Sequence, residues 1–116
     1  RATSLLLLTD GRHVLLERRP PVGIWGGLLS LPEGNEANAA EFARRHGYRL
    51  LETLPLAALR HTFTPFRLDI RAIRCRVEER GCVIAESGWQ WLPFSEIESA
   101  ALPTPIRRLI AAMDRA

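Results

Sequence analysis

Two apolar, strand-length segments open the chain, at residues 2–8 and 13–18, and Thr9-Asp10-Gly11-Arg12 separates them. Asp-Gly is the strongest short signal for a tight hairpin, so the pattern predicts two antiparallel strands. Residues 18–27 hold Pro20, Pro21 and three glycines, with Trp25 near the end, and read as a loop. A short, mostly apolar strand follows at residues 28–31 and stops at Pro32. Beyond the cap residues Asn35 and Asn38, the residues Ala39, Phe42, Ala43 and His46 fall at i, i+3, i+4 and i+7. Glu41, Arg44 and Arg45 occupy the other faces and Gly47 is the stop, which together describe a short amphipathic helix.

Residues 50–59 are mostly apolar and carry Pro55, as an edge strand does. Residues 67–77 alternate like a strand, but the phase changes midway: Leu68, Ile70 and Ala72 share one parity, Ile73, Cys75 and Val77 the other. That change predicts a bulge near Ala72 and Ile73. A turn is expected at residues 79–81, a returning segment at 82–85 and a last short strand at 89–92. Ser95 is placed to cap a brief helical turn through Glu98. Thr104-Pro105 starts a closing helix whose buried face is Ile106, Leu109, Ile110 and Met113. Trp25 is expected to pack the loop between strands, and Trp89 and Trp91 share a strand face that reads as core. Strands interrupted by one helix, then more strands and a final helix, predict an α/β (α+β) fold with a mixed sheet flanked by helices.

The chain's 116 residues suit one domain, and 47% hydrophobic with 25% charged residues is an ordinary globular balance. Its longest apolar run, residues 109–113, is far too short to span a bilayer, so no membrane association is expected. No signal peptide pattern is present, and the missing initiating Met suggests a domain excised from a longer chain. The net charge of +3 mildly suits a polyanion. All sixteen basic residues are Arg, whose guanidinium pairs bidentately with phosphate, although a biased genome composition is the plainer reading. Cys75 and Cys82 are too few for a four-thiolate metal site and read as a reduced pair. Three scattered histidines form no recognisable nucleophilic triad, so no catalytic residue is assigned.

More specific strings are Leu15-Leu16-Glu17-Arg18-Arg19-Pro20, Gly23-Ile24-Trp25-Gly26-Gly27-Leu28 and Leu31-Pro32. Arg60-His61-Thr62-Phe63-Thr64 with Phe66, then Leu68-Asp69-Ile70, Trp91 and residues 102–106 follow in order. Over nearly the whole chain this resembles the C-terminal, Nudix-like domain of MutY-type adenine DNA glycosylases. The resemblance implies a Nudix-like fold that checks the base opposite the target adenine, favouring 8-oxoguanine. It also implies that the parent hydrolyses the N-glycosidic bond of that adenine with residues and an iron-sulfur cluster of another domain, leaving this one without a cofactor of its own. The implied partners are duplex DNA containing 8-oxoguanine opposite adenine and the N-terminal catalytic domain of the same chain. The expected setting is a monomer in a bacterial cytoplasm, associated with the nucleoid when on DNA.

The Nudix signature G-x5-E-x7-R-E-U-x-E-E-x-G-U uses glutamates on a helix to hold magnesium against a pyrophosphate. Counted back from Gly47, the stretch reads Ala40-Glu41-Phe42-Ala43-Arg44-Arg45-His46-Gly47, which puts arginines in place of two adjacent glutamates. Gly27 and Glu33 keep the opening G-x5-E spacing, but Gly47 then arrives one residue early. No metal is therefore expected.

In the resembled glycosylases an aromatic, a hydroxyl residue and a His read the lesion. Here that loop is Phe63-Thr64-Pro65, with His61, Arg60 and Arg67 around it as further DNA-contacting residues. Pro65 stands where the family usually has His, which removes an imidazole and a backbone N–H; Arg67 is placed to restore a phosphate contact. Read from composition alone, Phe63 and Phe66 are core residues and His61 a buried imidazole. Arg67, Asp69 and Arg71 share a strand face that reads as solvated and internally paired, a phosphate-facing patch being the lesser reading. Three classes stay open: a lesion-recognition domain, a magnesium-dependent nucleotide pyrophosphohydrolase acting on a substrate like 8-oxo-dGTP, and a protein-interaction domain working through residues 89–92.

Overall fold

The computed structural model describes residues 1–63, 66–79 and 88–114. β1 (Ala2–Thr9) and β2 (His13–Arg18) are joined at Gly11, whose φ of 100° suits the turn. The Asp10 carboxylate accepts the backbone N–H of Arg12 at 2.9 Å and of His13 at 2.8 Å. The two strands splay beyond Thr9 and Val14, because β3 (Leu29–Ser30) pairs with the end of β2 while Glu33 bridges to Leu5 of β1.

After α1 (Ala39–Arg45), strands β4 (Tyr48–Pro55) and β5 (Leu59–Thr62) both pair antiparallel with the long β6 (Arg67–Glu79). β6 lies parallel to β1, β7 (Trp89–Pro93) lies on β2, and a 3₁₀ turn at Phe94–Ser99 leads to α2 (Thr104–Asp114). Among the described residues the result is a seven-stranded mixed sheet with order β3-β2-β1-β6-β4, with β5 on β6 and β7 on β2. A helix lies against each face.

Two cores explain why the first strands are apolar at consecutive positions over Leu5 to Leu8 and Val14 to Leu16. Leu5, Leu7, Val14 and Leu16 face α2, packing with Ile106, Leu109, Ile110 and Met113. Leu6, Leu8 and Leu15 face α1 and pack with Ala39, Phe42 and Ala43. A strand covered on both faces has no polar side to show. Phase on β6 has the same origin. Leu68, Ile70 and Ala72 join the α2 core, whereas Cys75 and Val77 join the α1 core with Ile73 packed against it.

β6 carries no bulge at Ala72 and Ile73: its pairing with β1 runs unbroken from Ala2–Asp69 to Thr9–Arg76. The irregularity lies on β4 instead, between Leu50 and Glu52. Two expected caps also work differently. The Asn38 side chain accepts the Asn35 N–H at 2.9 Å instead of capping α1, and the 3₁₀ turn starts from Pro93 with Ser95 inside it. The expected turn at residues 79–81 extends beyond the described residues, and the returning segment 82–85 lies outside them.

Trp89 and Trp91 do share a face, turned toward the α1 core. Trp89 meets Phe42 at 5.6 Å and His46 at 4.6 Å between ring centroids, and Trp91 meets Tyr48 at 4.8 Å. Cys75 is a free, fully buried thiol, and that burial pushes its pKa up to about 11 from 9.0; Cys82 lies outside the described residues. In a Cys82→Ser background, the folded protein is expected to react with a thiol-specific disulfide reagent at pH 8 only through unfolding. Because the folded value is the raised one, Cys75's contribution to stability is whole below pH 9 and is lost as pH climbs toward 11.

Candidate nucleic-acid interface

β5 and the start of β6 form a hairpin with Leu59 opposite Ile70 and Thr62 opposite Arg67. The Phe63 N–H donates to the Phe66 carbonyl at 2.7 Å, closing the pair. Between them stand Thr64 and Pro65, two expected site residues that lie outside the described residues. Strand alternation sorts the others. His61, opposite buried Leu68, points to the α2 side; Arg60, Thr62 and Arg67 point to the other.

Phe63 and Phe66 pack against the α2 core while remaining partly exposed. Their rings stack at 5.0 Å with an interplanar angle of 28°, the His61 edge meets Phe63 at 4.6 Å, and Trp25 lies 6.1 Å away. The Arg1 guanidinium sits 4.8 Å over the Phe66 ring. This end of the molecule therefore presents a preformed aromatic cluster with one cation, Arg1, over it. Arg60 donates to Asp69 at 2.7 Å, and that hydrogen bond holds the Asp69 carboxyl below its ordinary value. Arg67 is exposed and has no ion pair among the described residues.

Beside the hairpin, sequence reasoning missed a cleft of about 370 Å³ lined by Leu5, Leu68, Ile24, Trp25, Arg19 and Glu33, among others. Its wall is the loop that Trp25 ends. Trp25 adopts φ 57°, a left-handed conformation that a bulky residue rarely takes, and its carbonyl accepts the Leu28 N–H at 3.1 Å. Gly26 fits because a Cβ there would lie 2.6 Å from the Pro21 carbonyl oxygen. The density of Pro and Gly around a single Trp was the available signal. Trp25 thus joins the cleft to Phe63.

Arg19 stands between two carboxylates, 3.6 Å from Glu17 and 3.5 Å from Glu33. Burial pushes the Glu17 carboxyl up, the neighbouring Arg19 opposes it, and the charge of Glu33 adds to it.

The residues present do not fit a magnesium centre for a diphosphate. Glu41, on α1, is exposed and ion-paired with Arg44 at 2.6 Å, while the Arg45 guanidinium lies 5.8 Å over Phe42. Glu33 is engaged by Arg19. Among the described residues no group of three or more His, Cys, Asp or Glu is placed to hold a metal ion.

Several solved structures share this architecture. The C-terminal domain of mouse MUTYH, solved in complex with human PCNA, superposes with a TM-score of 0.69 at 22% identity, over 98% of this chain and 86% of that one. A MutT NUDIX hydrolase from Burkholderia pseudomallei gives 0.65 at 14% identity, over 97% and 96%. NrtR of Shewanella oneidensis, solved with a 27mer DNA, gives 0.65 at 15% identity, over 98% of this chain and 60% of that one. At these identities the likeness is one of fold. Descent is carried by the sequence itself: the NUDIX domain model matches residues 3–112, so the chain belongs to the NUDIX domain family.

Proposed function

We propose that this domain recognises 8-oxoguanine opposite adenine in duplex DNA and serves a glycosylase catalytic domain in a longer chain. One observation carries the reading: Phe63 and Phe66 stack at 5.0 Å on either side of Thr64-Pro65, with Trp25 and His61 bracing the rings. The fold likeness to the MUTYH C-terminal domain supports it, as does a signature helix that carries Arg44 and Arg45. Guanine offers an N7 acceptor in the major groove, whereas 8-oxoguanine offers an N7 hydrogen. The Thr64 hydroxyl accepts that hydrogen in this reading, Phe63 stacks beside the damaged base with His61 on its side of the hairpin, and Arg60 and Arg67 meet the DNA from the other side. Adenine removal itself, and the iron-sulfur cluster, belong to the other domain.

Thr64→Ala is expected to lower the affinity ratio between duplexes with 8-oxoguanine and with guanine opposite adenine. One neutral hydrogen bond is worth about 0.5–1.5 kcal/mol, a factor of roughly two to ten. An unchanged ratio would count against the reading.

The cleft favours a second reading, a nucleotide pyrophosphohydrolase, because Ile24, Trp25 and Leu68 offer a base apolar contacts beside Arg1, while Arg19 is already engaged by Glu17 and Glu33. Magnesium-dependent release of pyrophosphate from 8-oxo-dGTP would establish that activity.

A further inference from the structure

The sheet face beneath α1 is covered at one end and bare at the other. Ile73, Cys75 and Val77 of β6 meet the α1 core, but the preceding positions of the same parity, Arg67, Asp69 and Arg71, are exposed. Ala2 and Ser4 of β1 lie beside Asp69 and Arg71, and both are exposed and small. On the other side Arg60 and Thr62 of β5 face Asp69 and Arg67. Among the described residues the charged side chains of this bare half are three arginines and one aspartate, and the N-terminal ammonium of Arg1 donates to the Arg67 carbonyl beside them.

Pairing leaves two of those arginines uncommitted. Arg60 is held by Asp69 at 2.7 Å. Arg44, Arg49, Arg74 and Arg76 each face a glutamate elsewhere, whereas Arg67 and Arg71 meet no acid within ion-pair distance among the described residues. Four residues apart on an extended strand, they stand about 13 Å from one another. Arg71 also marks a break in the sheet edge: β5 pairs as far as Ile70 and β4 begins at Ile73. Shallow depressions of about 360 and 370 Å³ flank it, one lined by Ala58 and Leu59 and the other by Pro55 and Leu56.

We infer that this bare half-sheet is the track on which the sugar-phosphate backbone of duplex DNA lies, with Arg67 and Arg71 as its two phosphate contacts. The inference rests on the lesion-reading proposal only in bringing DNA to the hairpin end. Unpaired guanidinium groups in a row match phosphate charge and geometry. Among the described residues the face carries no aromatic side chain on which unstacked bases would lie, which favours a duplex over a single strand. Asp69, the acid of that face among the described residues, is neutralised by Arg60.

The test is the salt dependence of DNA binding by the 116-residue chain, using duplexes with 8-oxoguanine or guanine opposite adenine. For Arg67→Gln with Arg71→Gln, the slope of log K against log salt concentration should shrink by about 1.8, or 0.9 per lost phosphate, equally on both duplexes. Arg12→Gln with Arg108→Gln, exposed and off this face, should leave the slope in place. An unaltered slope in the first variant, an equal fall in the second, or no duplex binding at low salt would each overturn the track. Failure of lesion reading looks different: equal affinity for the two duplexes with the slope effect intact. Circular dichroism of both variants should match the parent, since all four side chains are exposed.

Discussion

Phe42→Ala should destabilise the protein by about 3–5 kcal/mol, read from chemical denaturation, which corresponds to a fall in melting temperature on the order of 15 °C. The Phe42 side chain is almost fully buried between the sheet and α1, with His46 at 4.5 Å and Trp89 at 5.6 Å. Glu41→Gln, one residue away, should leave the midpoint unmoved, because that carboxylate is exposed and its ion pair among the described residues is the exposed one with Arg44. The contrast separates two roles for the same helix. In a metal-dependent hydrolase the carboxylates of the signature helix hold the cation, and their loss abolishes activity. Here the buried side of the helix carries its value. A Glu41→Gln variant that lost a magnesium-dependent activity would show that the helix still serves chemistry.

Much of this architecture was legible because the sheet and helices are patterned by burial. The Asp10-Gly11 turn, the Ala39, Phe42 and Ala43 stripe and the Ile106, Leu109, Ile110 and Met113 stripe each have a local period that the fold keeps. The bulge on β6 was misread for a physical reason. A change of phase along a strand follows from an extra residue or from a change in which face is covered, and sequence does not distinguish them. On β6 the second cause operates: α2 covers the face of Leu68 and Ile70, and α1 covers that of Cys75 and Val77. Non-local pairing was equally illegible. Nothing near Arg60 announces Asp69 as its partner, and nothing near Arg19 announces Glu33, because both pairings arise only once separate segments meet.

For the candidate site, residue types were legible and their exposure was not. His61 and Phe63 read as either core or DNA-facing; the fold packs them in a half-buried cluster with Trp25 and Phe66, which meets the core reading only in part and leaves part of each ring exposed. That is physically coherent. An aromatic that is to stack on a base gains from being held before the base arrives, since ordering a free side chain would subtract from affinity. The loop that carries Trp25 matters for this reason as much as for the cleft it walls.

Phe63→Ala should therefore weaken binding to duplex DNA by about 1–3 kcal/mol, roughly five- to a hundredfold, with the oxidised duplex losing more. Removing the ring also removes packing against Phe66, His61 and Trp25, so a loss of affinity alone would be ambiguous. Phe63→Leu resolves it. Leucine keeps much of the apolar volume that the cluster needs but has no π face to offer a base. Melting temperature should recover in Phe63→Leu while affinity stays low, measured by thermal denaturation and by titration with the two duplexes. If affinity returned along with stability, the ring would be a packing element only. The lesion would then have to be read by the residues around it, with Thr64 first among them.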